Sequence, residues 1–136
     1  MDDRELIAAF EDCTLPPALF THRQHVRVGW IYLTEGTLLE ALPRFVGSLK
    51  RYATSLGATT KYHETITFAF LFLIHERMQR TPADTFDDFA VAHPDLFEPI
   101  LDRYYTAETL RSDLARQTFV MPDLYIPTNA TYEIFR

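Results

Sequence analysis

The segment Ile66-Thr67-Phe68-Ala69-Phe70-Leu71-Phe72-Leu73-Ile74 constrains the fold more than any other part of the chain. It is apolar on every side, so whatever it forms must be surrounded by neighbours. Taken alone, a run this short also fits a buried strand. Its flanks decide for a helix. His75-Glu76-Arg77-Met78-Gln79-Arg80 are good helix formers, and no turn residue interrupts the passage into them. The sequence therefore predicts a central helix from about Thr60 or Lys61 to Arg80. The longest fully apolar stretch, Phe68 to Ile74, is too short to span a bilayer.

The rest of the chain supplies helices to surround it. Leu6, Ile7 and Phe10 share one face of a first helix over Asp3–Asp12, which Pro16-Pro17 keeps from continuing. Thr21 with Gln24 reads as a capping box opening a second helix, with Phe20 placed to staple against His25 and Gly36 at its end. Thr37 with Glu40 is another such box. The stripe Leu38, Leu42, Phe45, Val46, Leu49, Tyr52, Ala53 and Leu56 continues from it to Gly57, with a kink or delayed start expected at Pro43. Thr81-Pro82 reads as the start of a short helix through Phe86 and Phe89 to His93. A segment opened by Pro94 is broken at Pro99, and Thr106 caps a last helix over Ala107–Phe119. The fold expected is all-α: one domain over residues 1–136, an antiparallel bundle of about five to seven helices around a central apolar one.

The chain has 136 residues and a formal net charge of −6, with no basic run, which disfavours nucleic acid as a partner. Cys13 is the single cysteine, so no internal disulfide and no thiolate metal cluster can form, and a reducing cytoplasm is the natural setting. No membrane partner is expected. The tail from Asp123 holds Tyr125, Ile126, Tyr132, Ile134 and Phe135, apolar enough to pack on the body or on a second copy in a homodimer. Gly-rich phosphate loops, H-E-x-x-H and G-x-S-x-G are absent.

Two segments concentrate chemistry. His22 and His25 lie three apart near the start of the second helix, on roughly one side. Lys61-Tyr62-His63-Glu64-Thr65 places four ionisable types directly before the most buried helix, where polar groups need partners and shift their pKa values. His63 and Glu64 are the leading acid–base candidates, followed by His25 and His22. Lys61, Tyr62 and Arg116 are candidates for orienting an anionic substrate. The competing interpretation is a well-capped helix start, with Glu64 at the positive end of its dipole. Tyr104-Tyr105 and Asp123 are weaker candidates, and His75 and His93 are given no role.

Three functions fit these residues. The first is a small-molecule-binding protein or small enzyme using histidine and glutamate in an aromatic-lined pocket. The second is a metal-dependent enzyme holding zinc or iron through His22, His25 and His63, with Glu64 as ligand or base. The third is a non-catalytic homo-oligomeric interaction protein. The cofactor, if any, is not specified by the sequence.

The segments Phe20-Thr21-His22-Arg23-Gln24-His25-Val26-Arg27, Lys61-Tyr62-His63-Glu64-Thr65-Ile66-Thr67, Tyr104-Tyr105 and Ala115-Arg116-Gln117-Thr118-Phe119-Val120-Met121-Pro122-Asp123 together resemble a group of short bacterial proteins of uncharacterised function. The resemblance covers nearly the whole chain. It implies a bacterial source and that the four segments belong together, and it transfers no mechanism.

Overall fold

The structure, a computed structural model, describes residues 1–124. The expectation that the tail forms a homodimer contact falls mainly on 125–136, outside the described residues. Seven α-helices are present among the described residues, and no strand: α1 (Asp3–Glu11), α2 (His22–Glu35), α3 (Leu38–Ser55), α4 (Glu64–Arg80), α5 (Phe86–Ala92), α6 (Ala107–Arg111) and α7 (Asp113–Gln117). Short 3-10 turns fill Pro17–Leu19, Thr59–Lys61, Pro94–Phe97 and Ile100–Arg103. None of the helices is long and apolar enough to cross a membrane.

The all-helical expectation holds, with α4 at the centre. No residue from Thr65 to His75 is exposed. Its neighbours are α2, α3 and α7, and α2 also packs on α3. One continuous apolar core links Leu6 and Phe10 of α1, Val28 and Ile31 of α2, and Phe45 and Leu49 of α3. Leu71 and Ile74 of α4 extend it to Phe89 of α5. Fully buried rings such as Phe10, Phe45 and Phe89 each contribute roughly 1.5–3 kcal/mol of transfer free energy. The α2–α4 contact is close because residue 29 is glycine. A Cβ there would stand 3.1 Å from Ile74 Cδ1 and 3.4 Å from Leu71 Cδ1.

Local chemistry explains where the boundaries fall. The Thr37–Glu40 capping box forms in full, and α3 runs through Pro43 as a single element. At α2 only half the expected box forms. Thr21 accepts the Gln24 N–H, while the Gln24 amide oxygen accepts from Arg27 instead. Gly36 is extended rather than left-handed, because Thr37 caps α3 immediately after it. Gly57 does close α3 with φ 67°, and Cys13 adopts φ 60° after α1, at a cost of about 1 kcal/mol.

Three expected boundaries move. The central helix starts at Glu64, later than expected, because His63 caps it and 59–61 winds into a 3-10 turn. The helix expected from Thr81-Pro82 begins at Phe86, where Thr85 accepts the Asp88 N–H and Phe86 and Phe89 reach the core. The last helix divides at Ser112, whose hydroxyl caps α7 by accepting the Ala115 N–H.

Candidate functional site

The two histidine-bearing segments meet at one cavity. Thr21 caps α2 and so places His22 and His25 in its first turns. His63 ends the 59–62 connection and caps α4. Between them, α3 contributes Leu49, Tyr52, Ala53 and Leu56, four positions on one helical face. The enclosed space is about 280 Å³ and is completed by Phe20, Ala58, Lys61, Tyr62, Ile66 and Thr67. It sits at the lower edge of the range for small-ligand sites.

His25 is the ionisable group most exposed to the consequences of this enclosure. Its ring lies nearly parallel to Phe20 at 5.1 Å, which is the staple expected from the sequence, and tilts against Phe45 at 5.6 Å. Among the described residues, neither ring nitrogen has a hydrogen-bond partner, and neither is sealed away from solvent. The ring borders the 280 Å³ cavity on one side and a smaller one of about 50 Å³, shared with His22, Ile66 and Phe70, on the other. Burial lowers the imidazole pKa from 6.5 to about 4, and the charge on His22 adds to the effect.

The remaining polar groups around the cavity are engaged. His63 Nδ1 accepts the Ile66 N–H at 3.1 Å, and its Nε2–H donates to the Leu110 carbonyl at 2.6 Å. This fixes one neutral tautomer and leaves no ring nitrogen free. Proton transfer at His63, a leading acid–base candidate, would break a helix cap or the bond to α6. Tyr52 donates to the Leu15 carbonyl at 2.7 Å, and Thr67 donates to the His63 carbonyl at 2.7 Å. Among the described residues, the Lys61 ammonium is the one cavity-lining lysine or arginine cation, at an exposed position.

The other sequence candidates take different positions. His22 Nε2 is 2.9 Å from the Leu96 carbonyl, to which it donates, and its ring meets the Phe70 ring edge-on at 5.0 Å. Glu64 turns away from the cavity and accepts the Tyr62 hydroxyl at 2.6 Å. Burial, followed by that bond to a carboxylate, pushes the Tyr62 phenol well above its ordinary range. Arg116 donates to the Thr60 carbonyl at 2.8 Å. Tyr105 is buried and donates to the Val120 carbonyl. Asp123 accepts from the Thr106 backbone and from the Thr106 and Thr109 hydroxyls, which hold its carboxyl below the usual range.

Thus His25, His63, Lys61 and Tyr62 share the cavity, whereas His22, Glu64 and Arg116 do not line it. Among the described residues, no three His, Cys, Asp or Glu side chains are grouped to hold a metal ion. Of the four residues of the metal reading, His22 and His63 bond to the Leu96 and Leu110 carbonyls, Glu64 accepts the Tyr62 hydroxyl, and His25 has no hydrogen-bond partner among the described residues. Sequence reasoning missed the α3 wall. Its signal was the apolar stripe overshooting the core, since Leu56 remains 43% exposed. It also gave no weight to His93, which is 7% exposed with Nε2 buried and unpartnered.

No protein-family model, curated protein or solved structure matches this chain.

Proposed function

We propose that the protein binds a small, mainly apolar molecule in the cavity between α2, α3 and α4. The observation that carries this reading is His25, a neutral imidazole set between two aromatic rings beside an open space, with both nitrogens unpartnered among the described residues. Polar groups beside apolar walls need partners, and a ligand hydroxyl or acid group supplies one. Lys61 at the rim favours a ligand carrying a negative charge at its outer end.

The pKa favours binding over catalysis. With a value of about 4, only about one His25 in a thousand is protonated at pH 7. Such a group is a poor general acid and a weak general base, because efficient proton transfer wants a pKa near the working pH. A neutral imidazole remains a good hydrogen-bond acceptor. Acid–base catalysis by His25 requires that an acidic ligand first raise its pKa.

Carbon-detected NMR titration with benzoate, hexanoate and cyclohexanol tests the proposal. The expected result is saturable shifts at the methyls of Ala53, Ala58 and Leu56 and at His25 Cε1, lost in His25→Phe. The reading is wrong if none of the three probes moves these signals at millimolar concentration, or if His25→Phe binds them equally well.

A further inference from the structure

Tyr62 walls the apolar cavity on one side. On the other it borders a second space of about 280 Å³, lined by Lys50 of α3, Thr59 and Thr60, Glu64 of α4, and Arg116 and Gln117 of α7. Its charges stand apart from the rest of the molecule. Among the described residues, the half-buried arginines are Arg27, Arg77 and Arg116, and the first two pair with Asp3 and Asp95. The half-buried carboxylates are Asp3, Glu11, Asp95 and Glu64, and the first three are likewise paired with arginine. Glu64 and Arg116 are the exceptions, and both line this cleft.

They are held apart by their own bonds. One Arg116 nitrogen is tied to the Thr60 carbonyl, and one Glu64 oxygen is tied to the Tyr62 hydroxyl. Lys50 adds a second cation without a carboxylate partner among the described residues, its Nζ lying 5.1 Å from the centre of the Tyr62 ring. Half-buried Glu64 and Arg116 face one space without meeting, and with exposed Lys50 they offer a bridging ligand both signs of charge.

We propose that this cleft binds a small zwitterion, a molecule carrying a carboxylate and an ammonium group a few bonds apart, such as an α-amino acid. The carboxylate meets the free edge of the Arg116 guanidinium, which presents parallel N–H donors, with Lys50 beside it. The ammonium meets the Glu64 oxygen left free by Tyr62. A lone anion satisfies Arg116 and Lys50 but sets a like charge against Glu64. A lone cation makes the opposite error. Only a ligand with both charges answers all three groups. The site is separate from the His25 cavity and does not depend on the proposal made for it.

Amide NMR titration with glycine tests this, with acetate, methylammonium and inorganic phosphate as controls. Glycine is expected to shift the amides of residues 59–64 and 116–117 saturably at millimolar concentration, at least about tenfold more tightly than any control. Glu64→Gln retains an acceptor for Tyr62 and Arg116→Gln retains a donor for Thr60, and each is expected to weaken glycine roughly tenfold. The exposed Lys50→Gln, in which folding is not at stake, weakens it less, and His25→Phe leaves it unchanged. Absence of saturable shifts up to about 100 mM glycine overturns the proposal. So does acetate or phosphate binding as tightly as glycine with Glu64→Gln having no effect, which makes the cleft an anion site.

Discussion

Acidification from pH 7 to pH 4 removes a defined part of the stability through His25. The imidazole pKa is lowered from 6.5 to about 4 in the folded chain, so folding favours the neutral ring. The corresponding stability is fully present above the unfolded value of 6.5 and drains away as pH falls towards 4. At ~1.4 kcal/mol per pH unit this amounts to at most about 3 kcal/mol, less to the extent that cavity water solvates the cation. Urea denaturation, followed by the fluorescence of buried Trp30, measures it at half-unit pH steps for the native chain and for His25→Leu. Carboxylate titrations common to both proteins cancel in the difference. The native chain is expected to lose about 2–3 kcal/mol relative to the variant between pH 6.5 and pH 4. A pH-independent difference, or a His25 titration midpoint near 6.5 by NMR, refutes the placement of the ring among Phe20, Phe45 and His22. Benzoate bound in the cavity is expected to move that midpoint upward.

Thr65→Val keeps the shape of a fully buried side chain but removes its bonds to the Thr118 carbonyl and the Val120 N–H, and a loss of about 2 kcal/mol is expected in urea melts. Gly29→Ala is expected to destabilise by about 1 kcal/mol, because crowding against Ile74 and Leu71 outweighs the helix preference of alanine; a higher melting temperature shows instead that Ile74 can give way. Asp95 receives both Arg77 nitrogens and one from Arg103, which lowers its pKa from 3.8 to about 2. Asp95→Asn therefore costs about 2 kcal/mol at neutral pH, and the deficit shrinks as pH falls from 3.8 towards 2; a constant deficit over that window contradicts the pairing.

The fold was largely legible because its signals are local. The all-apolar segment before Ile74, the Thr37–Glu40 box and the Phe20–His25 staple each act within a few residues, and each appears in the structure. Boundaries decided by tertiary partners were not legible. His63 becomes a cap rather than a helical residue because the Leu110 carbonyl, 47 positions away, takes its other nitrogen. Ser112 divides the last helix because capping competes with continuation, a contest that periodicity does not register. The site was half legible for the same reason. Clustered ionisable residues marked the region where the cavity and the cleft lie, but their order along the chain did not reveal that Glu64 and His63 face different spaces. His63 is an extended cap and Glu64 the first helical residue, and the change of backbone direction between them separates an apolar cavity from a charged cleft.

Three bonds from the start of α4 reach across to the end of the described chain: His63, its cap, donates to the Leu110 carbonyl, and Thr65 donates to the Thr118 carbonyl and accepts the Val120 N–H. They make α6 and α7 a clasped flap rather than an independent layer. Opening of such a segment as a unit, below the free energy of global unfolding, is the behaviour expected of a clasped edge. Arg116 rides on that flap. An opening of the clasp would withdraw Arg116 from Lys50 and Glu64 across the cleft. Amide hydrogen exchange at residues 113–120 then measures the stability of the clasp and, with it, of one side of the cleft.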